Sequence, residues 1–234
     1  MSFPACDIPS RDKGAALSHV RAIERDDPMR GDAEAFVAHV YERKFDARLR
    51  TFMPTILGFF DRDDHLRACL GIRFAAKETL FVEQYLSAPA EFFIASEAAL
   101  SVPRIDLLEV GGFASHHPGD ARQVIRFLAP RLKAIGIHWV IFSATRQIHN
   151  AFQRMGLTPV VLAQADRHRL QPDGTDWGTY YETHPHVLLG DVDAGCGFFE
   201  SRARRRAQGA SSDATTIDNT TGDETIVELR ERVA

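Results

Sequence analysis

Residues 105–122, IDLLEVGGFASHHPGDAR, constrain the chain more than any other stretch. Apolar residues around a single carboxylate, followed by two glycines, predict a β-strand; the Ser, His, Pro and Gly residues after them predict a loop, and Asp120 opens a helix-forming segment. The first turn of a helix entered in this way leaves backbone N–H groups unpaired and pointing outward, a setting that suits phosphate or pyrophosphate. Glu109 lies inside the strand, flanked by Leu107, Leu108, Val110 and the glycines. A carboxylate so placed is either paired within a sheet or works as an acid or base.

The chain has 234 residues, 44% of them hydrophobic, enough for one globular domain with a full core. A net charge of −4 argues against a nucleic-acid binder, which would carry a basic excess. Cys6, Cys69 and Cys196 are odd in number, far apart and without metal-ligand spacing, so they imply neither a disulfide framework nor a zinc site, and a reducing cytoplasm is the natural compartment. The opening MSFPACDIPSRDKG lacks the basic-then-apolar order of a signal peptide, and no apolar run approaches the ~20 residues that span a bilayer.

Along the chain, residues 1–30 read as an extended arm with one strand near 17–23, residues 31–196 as the folded domain, and residues 197–234 as a disordered polar tail. Arg202, Arg204, Arg205 and Arg206 in that tail could touch acidic lipid or RNA, which leaves peripheral membrane contact open, but a lone basic knot beside a polar tail usually only solvates. Phe36, Val37, Val40, Tyr41, Phe45 and Leu49 recur at helical spacing, and the runs FMPTILGFF and LRACLGIRFAA flank the charged turn DRDDH as an antiparallel hairpin. Asp61, Asp63 and Asp64 at its tip invite a metal, yet a solvated hairpin tip is the simpler account, and no metal is expected. Residues 120–135 predict a helix that Pro130 kinks or stops early. HWVIFSATR predicts a strand buried on both faces, residues 147–155 a short helix ending at Gly156, LTPVVLAQA a strand, and WGTYYETHPHVLLGDV a closing strand rich in aromatics. P-loop, H-E-x-x-H, G-x-S-x-G and G-x-G-x-x-G signatures are all missing. Helices that cross between strands beside an antiparallel portion predict a mixed α/β sheet.

The combination LFVEQYLSAPAE, LLEVGGFAS, WVIFSATRQIHNAFQRMGLTPVVLAQAD and WGTYYETHP resembles the thermostable haemolysin family of proteobacteria over roughly residues 15–190. The segment from EVGGFAS through HNAFQRMGL is also similar to the GNAT acyltransferase superfamily and to acyl-homoserine lactone synthases. That resemblance implies an α/β (α+β), GNAT-like, mostly antiparallel central sheet with a splayed parallel strand pair and helices on both faces. It further implies an acyl-coenzyme A or acyl-phosphopantetheine co-substrate, the latter on an acyl carrier protein, whose arm would lie across Gly111, Gly112, Phe113, Ala114 and Ser115. Its phosphate would sit on the 116–122 loop, where Gly119 and Arg122 are the candidate contacts. Arg146 and Asn150 bracket the start of the last helix and could face the cofactor, although Asn150 serves equally as a helix-start residue. The loop departs from the superfamily by holding a single glycine, which makes a carrier-protein donor at least as plausible as coenzyme A.

Forming an amide requires that an ammonium lose its proton before attacking a thioester, so a general base is needed. Glu109 is the first candidate, since burial would raise its pKa, and a salt bridge to Arg73 is the competing account. Glu83, held by Gln84 and Tyr85, is the second, against a reading as a loop residue packing on the sheet; Gln84, Tyr85 and Arg73 complete a substrate-contacting set. The superfamily's late-helix tyrosine, which protonates the departing thiolate, is replaced here by Phe152, so that role falls to Tyr180 or Tyr181 or is unfilled. His116 and His117 could serve as acid-base groups or bind phosphate, yet adjacent loop histidines read more simply as exposed and idle. The expected function is an N-acyltransferase moving a fatty acyl group to a small-molecule amine. A membrane-lytic protein and a non-catalytic acyl-thioester sensor are the rivals.

Overall fold

The two apolar runs either side of DRDDH do pair. β2 (Thr55–Phe60) and β3 (Leu66–Phe74) form an antiparallel hairpin whose tip is tied by Asp61, its carboxylate accepting N–H bonds from Asp63 and His65 at 3.0 Å each. The computed structural model describes residues 17–98, 102–117 and 119–209 together with Glu228. Around the hairpin stand β1 (His19–Ile23), α1 (Arg30–Phe45), α2 (Ala90–Ala98), β4 (Leu107–Ser115), α3 (Asp120–Ala134), β5 (Trp139–Ala144), α4 (Arg146–Met155), β6 (Val160–Gln164), β7 (His186–Asp191) and α5 (Val192–Gly209).

The strands make one sheet in the order β1-β2-β3-β4-β5-β7-β6, antiparallel except for the pair β4 and β5. Alternation along each strand sends apolar side chains to both faces. On one face Phe59, Leu70, Ile72 and Leu108 pack against Val124, Phe127, Leu128 and Leu132 of α3, with Val192 and Cys196 of α5. On the other face Ile23, Ile56, Cys69 and Ala114 meet Ala33 and Val37 of α1, while Leu107, Ile141, Val187 and Leu189 are covered by Leu80, Val82, Ala90 and Ile94. Each buried Leu, Ile, Val or Phe contributes roughly 1.5–3 kcal/mol.

Several expectations are corrected. Pro130 does not end α3, which continues to Ala134; the residue is exposed, so water can satisfy the carbonyl its missing N–H leaves free. The aromatic segment WGTYYETH is not strand: it turns and forms a 3-10 helix over Tyr180–Thr183, and β7 begins only after Pro185. β7 lies between β5 and β6 rather than closing the sheet's edge. Trp139, Val140 and Ser143 of β5 are half-buried rather than fully enclosed. The strand expected near residues 17–23 is present as β1, which pairs with β2 along its whole length, and residues 197–209 continue α5. The first sixteen residues of the expected arm, and the expected tail past 209 apart from Glu228, lie outside the described residues.

Candidate active site

β4 and β5 are hydrogen-bonded neighbours only at Leu107–Trp139, Leu108–Val140 and Glu109–Ile141, and beyond that point they part. On its other edge β4 bulges against β3. Gly71 pairs with Gly111 and Cys69 with Ala114, so Gly112 and Phe113 together oppose Leu70. Gly112 takes φ +57, a left-handed conformation that a side chain would strain. The extra residue reverses the strand's alternation: Val110 and Phe113 both face α3, and Ala114 faces α1.

The gap between the splayed strands opens a cleft of about 560 Å³ that runs through the sheet. On the α3 side its walls include Leu128 and Leu132 of α3, Phe142 of β5, Phe152 of α4 and Phe198 of α5; on the α1 side they include Val40, Tyr41, Phe45 and Tyr180. His116, His117, Thr145 and Gln147 stand where β4 and β5 end. An apolar cleft of this volume with a few polar groups has the character of a small-molecule site. The facing backbone edges of β4 after Glu109 and β5 after Ile141 have no strand partner, so an extended ligand carrying amides can pair there as a strand would.

Glu109 sits at the last paired step, with its side chain on the α1 face and no exposure. Its carboxylate accepts N–H bonds from Phe81 (2.8 Å) and Val82 (2.9 Å), and Arg73, its cross-strand neighbour, comes to 3.8 Å. Burial dominates these opposing contacts and raises the carboxyl from 4.5 to about 7. Glu109 therefore both fastens the 3-10 turn at Phe81–Tyr85 to the sheet and titrates near neutrality. It does not line the cleft wall.

Glu83 is differently employed. Its carboxylate accepts N–H bonds from Leu80 (2.7 Å) and Ala90 (2.9 Å) and a 2.7 Å bond from Arg104, which also holds Glu91 at 2.7 Å. Burial pushes Glu83 up, but Arg104 and the two amides outweigh it and hold the carboxyl below its ordinary value. A carboxylate with its oxygens so filled is an anchor for the turn, which the residue pattern alone did not separate from a base. Gln84 is likewise structural, donating to the Phe81 carbonyl and accepting from the Gln171 N–H. Tyr85 is buried, and its hydroxyl meets that of Tyr181 at 2.5 Å; burial raises both phenols. Arg73 also donates to the Thr79 carbonyl at 3.3 Å and lies 3.5 Å from Glu78.

Of the expected donor-binding positions, Gly111, Gly112, Phe113 and Ser115 line the cleft, while Ala114 turns into the α1 core. Gly119 and Arg122 are exposed and stand outside the cleft wall. Asn150 is exposed too, because α4 presents Ile148, Ala151 and Phe152 to the cleft. Tyr180 rather than Tyr181 reaches the cleft; burial raises its phenol, an effect that a hydrogen bond with Ser143 opposes. His116 and His117, read as idle, stand at the mouth, where His116 meets Phe36 edge-on with ring centres 4.6 Å apart. Their adjacency to a strand end and a helix start was the available signal.

Residues 23–196 match the sequence profile of the family described as Thermostable hemolysin. No curated protein sequence is detectably similar. Solved structures that share the fold include the following two. FeeM, an N-acyl amino acid synthase from uncultured soil microbes, superposes with a TM-score of 0.53 at 16% identity, over 75% of this chain and 96% of its own. BjaI, a CoA-dependent acyl-homoserine lactone synthase solved with SAM and isopentyl-CoA, gives 0.51 at 11% identity, over 92% and 99%.

Proposed function

The chain belongs to the thermostable hemolysin family, and we propose that it is an N-acyltransferase that moves a fatty acyl group from a pantetheine thioester, on coenzyme A or an acyl carrier protein, to a small amine. One observation carries this reading: the parallel pair β4 and β5 stops pairing at Glu109–Ile141 and opens into a cleft that passes through the sheet. FeeM, an N-acyl amino acid synthase, and BjaI, a CoA-dependent synthase, are consistent with that donor and acceptor.

In this scheme the pantetheine amides pair with the free edge of β4 at Gly111 and Gly112, the thioester carbonyl rests at the seam, and the amine enters from the α1 side. The ammonium yields one proton toward Glu109, the buried carboxyl at the seam where the two strands part. Nitrogen then attacks the carbonyl carbon, the C–N bond forms, and the C–S bond breaks. The nitrogen's remaining surplus proton ends on the sulfur, by way of the Tyr180 hydroxyl. A carboxyl titrating at about 7 is matched to base catalysis at neutral pH.

The test is incubation of the purified protein with acyl-coenzyme A or acyl carrier protein and a panel of amines, following free thiol and amide product together. Amine-dependent thiol release is expected. Failure of every donor to be consumed, with liposome leakage in the absence of donor, would instead favour direct lysis, although no helix among the described residues is long and apolar enough to cross a membrane.

A further inference from the structure

On the α3 side the cleft is a groove rather than a pore. Val140, Phe142 and Ala144 face the same side of β5 and line its floor. At ~3.3 Å of rise per strand residue they extend it for about 13 Å. Leu128 and Leu132 of α3 form one wall and Phe152 of α4 the other. Phe152 lies against Phe142, with ring centres 5.2 Å apart.

The far end is closed by α5. α4 leaves the mouth at Thr145 and terminates at Gly156, and the ring of Phe198 sits directly on that glycine. A Cβ at Gly156 would come to 2.4 Å from Phe198 Cζ, and its φ of +82 further disfavours a side chain. Phe199 meets Phe198 edge-on with centroids 5.7 Å apart, and both rings line the groove. Val192 and Cys196, packed into the α3 core, fix the start of the helix that carries them. The family match ends at residue 196, so these two rings come from a part of the chain beyond it.

We propose that this groove takes the straight hydrocarbon chain of an acyl-pantetheine thioester and that Phe198 and Phe199 form its end wall, so that α5 sets the chain length accepted. The inference rests on the acyl-transfer reading for its donor, but it concerns binding and is tested by binding. An apolar groove without a stop would gain affinity for each added methylene. A groove with an end wall gains until the chain meets the rings.

The experiment is calorimetric titration of the full chain with a series of S-acyl pantetheines from butanoyl to hexadecanoyl, the fragment common to both donor types. Affinity should rise roughly fourfold per methylene, then level or fall at a defined length. Phe198→Ala and Phe199→Ala should move that length upward, and Phe198→Trp should move it downward, with circular dichroism showing each variant folded. Affinity indifferent to chain length in the wild type overturns the groove. A break point that stays in place in the folded variants overturns the end wall. Binding that follows the expected pattern while no amine in the panel is acylated leaves the groove standing and defeats the transfer reading, so the two failures are distinct.

Discussion

Glu109 was visible in the sequence because one carboxylate in an apolar strand has few ways to exist; the structure pairs it with Arg73 at 3.8 Å, and burial still lifts the carboxyl to about 7. The linkage follows from this. The unfolded carboxyl titrates near 4.5, so between that value and about 7 the folded chain keeps a proton the unfolded chain has released. Stability must then fall as pH rises through the window and level off above it, by on the order of 3 kcal/mol. Melting temperatures of wild type and Glu109→Gln, measured across this range, should show the slope in the first and its loss in the second; parallel curves would remove the titration from Glu109. If Glu109 is also the base, kcat/KM should climb with pH to a plateau above about 7, and Glu109→Gln should lower it by roughly 10²–10⁴-fold. The proposed proton donor to the thiolate was less legible. Tyr180 and Tyr181 are adjacent, and only the 3-10 turn decides that the first reaches the cleft and the second pairs with Tyr85. Tyr180→Phe should lower kcat about tenfold or more at little change in KM for the donor, whereas Tyr181→Phe should chiefly lower the melting temperature.

At the scale of elements, periodicity located the hairpin, α1, α3 and α4 but not which way each helix is turned. Asn150 looked like a cofactor contact from its place near the helix start, yet one step of 100° separates it from Ala151, which faces the cleft. Pro130 misled in a related way, since its cost depends on whether the freed carbonyl meets core or water. The bulge falls on consecutive glycines, which within a strand mark a place where the backbone departs from the ladder. Gly112→Val would put a branched side chain at φ +57 and reverse the advantage: we expect a loss of about 1–2 kcal/mol in stability. The same variant should weaken donor binding by more than tenfold, read by titration with S-acyl pantetheine. A variant that binds as well as wild type would dissociate the bulge from the cleft. Arg104→Ala, in contrast, should leave donor binding alone and destabilise by about 3 kcal/mol, because it strands the Glu83 carboxylate in the turn beside α2.

The whole molecule is two half-sheets, β1-β2-β3-β4 and β5-β7-β6, joined in the sheet by three residue pairs and braced by helices from both faces. No local pattern specifies that seam. It depends on β7 inserting beside β5, a pairing between residues 139–144 and 186–191 that is long-range in sequence and was read instead as the sheet's closing edge. A seam of this kind makes a prediction that single-site changes do not. The unpartnered edges of β4 past Glu109 and of β5 past Ile141 should exchange their cleft-facing amide hydrogens faster than the paired amides of β2 and β3. A pantetheine thioester lying between them would pair those edges and stitch the halves together. Hydrogen exchange with saturating S-acyl pantetheine should therefore show new protection confined to residues 110–115 and 142–144. At a ligand concentration one hundred times the dissociation constant, folding stability should gain about 2.7 kcal/mol. Protection appearing elsewhere on the surface, with the seam amides unchanged, would place the donor outside the splay and take the acyl-transfer geometry with it.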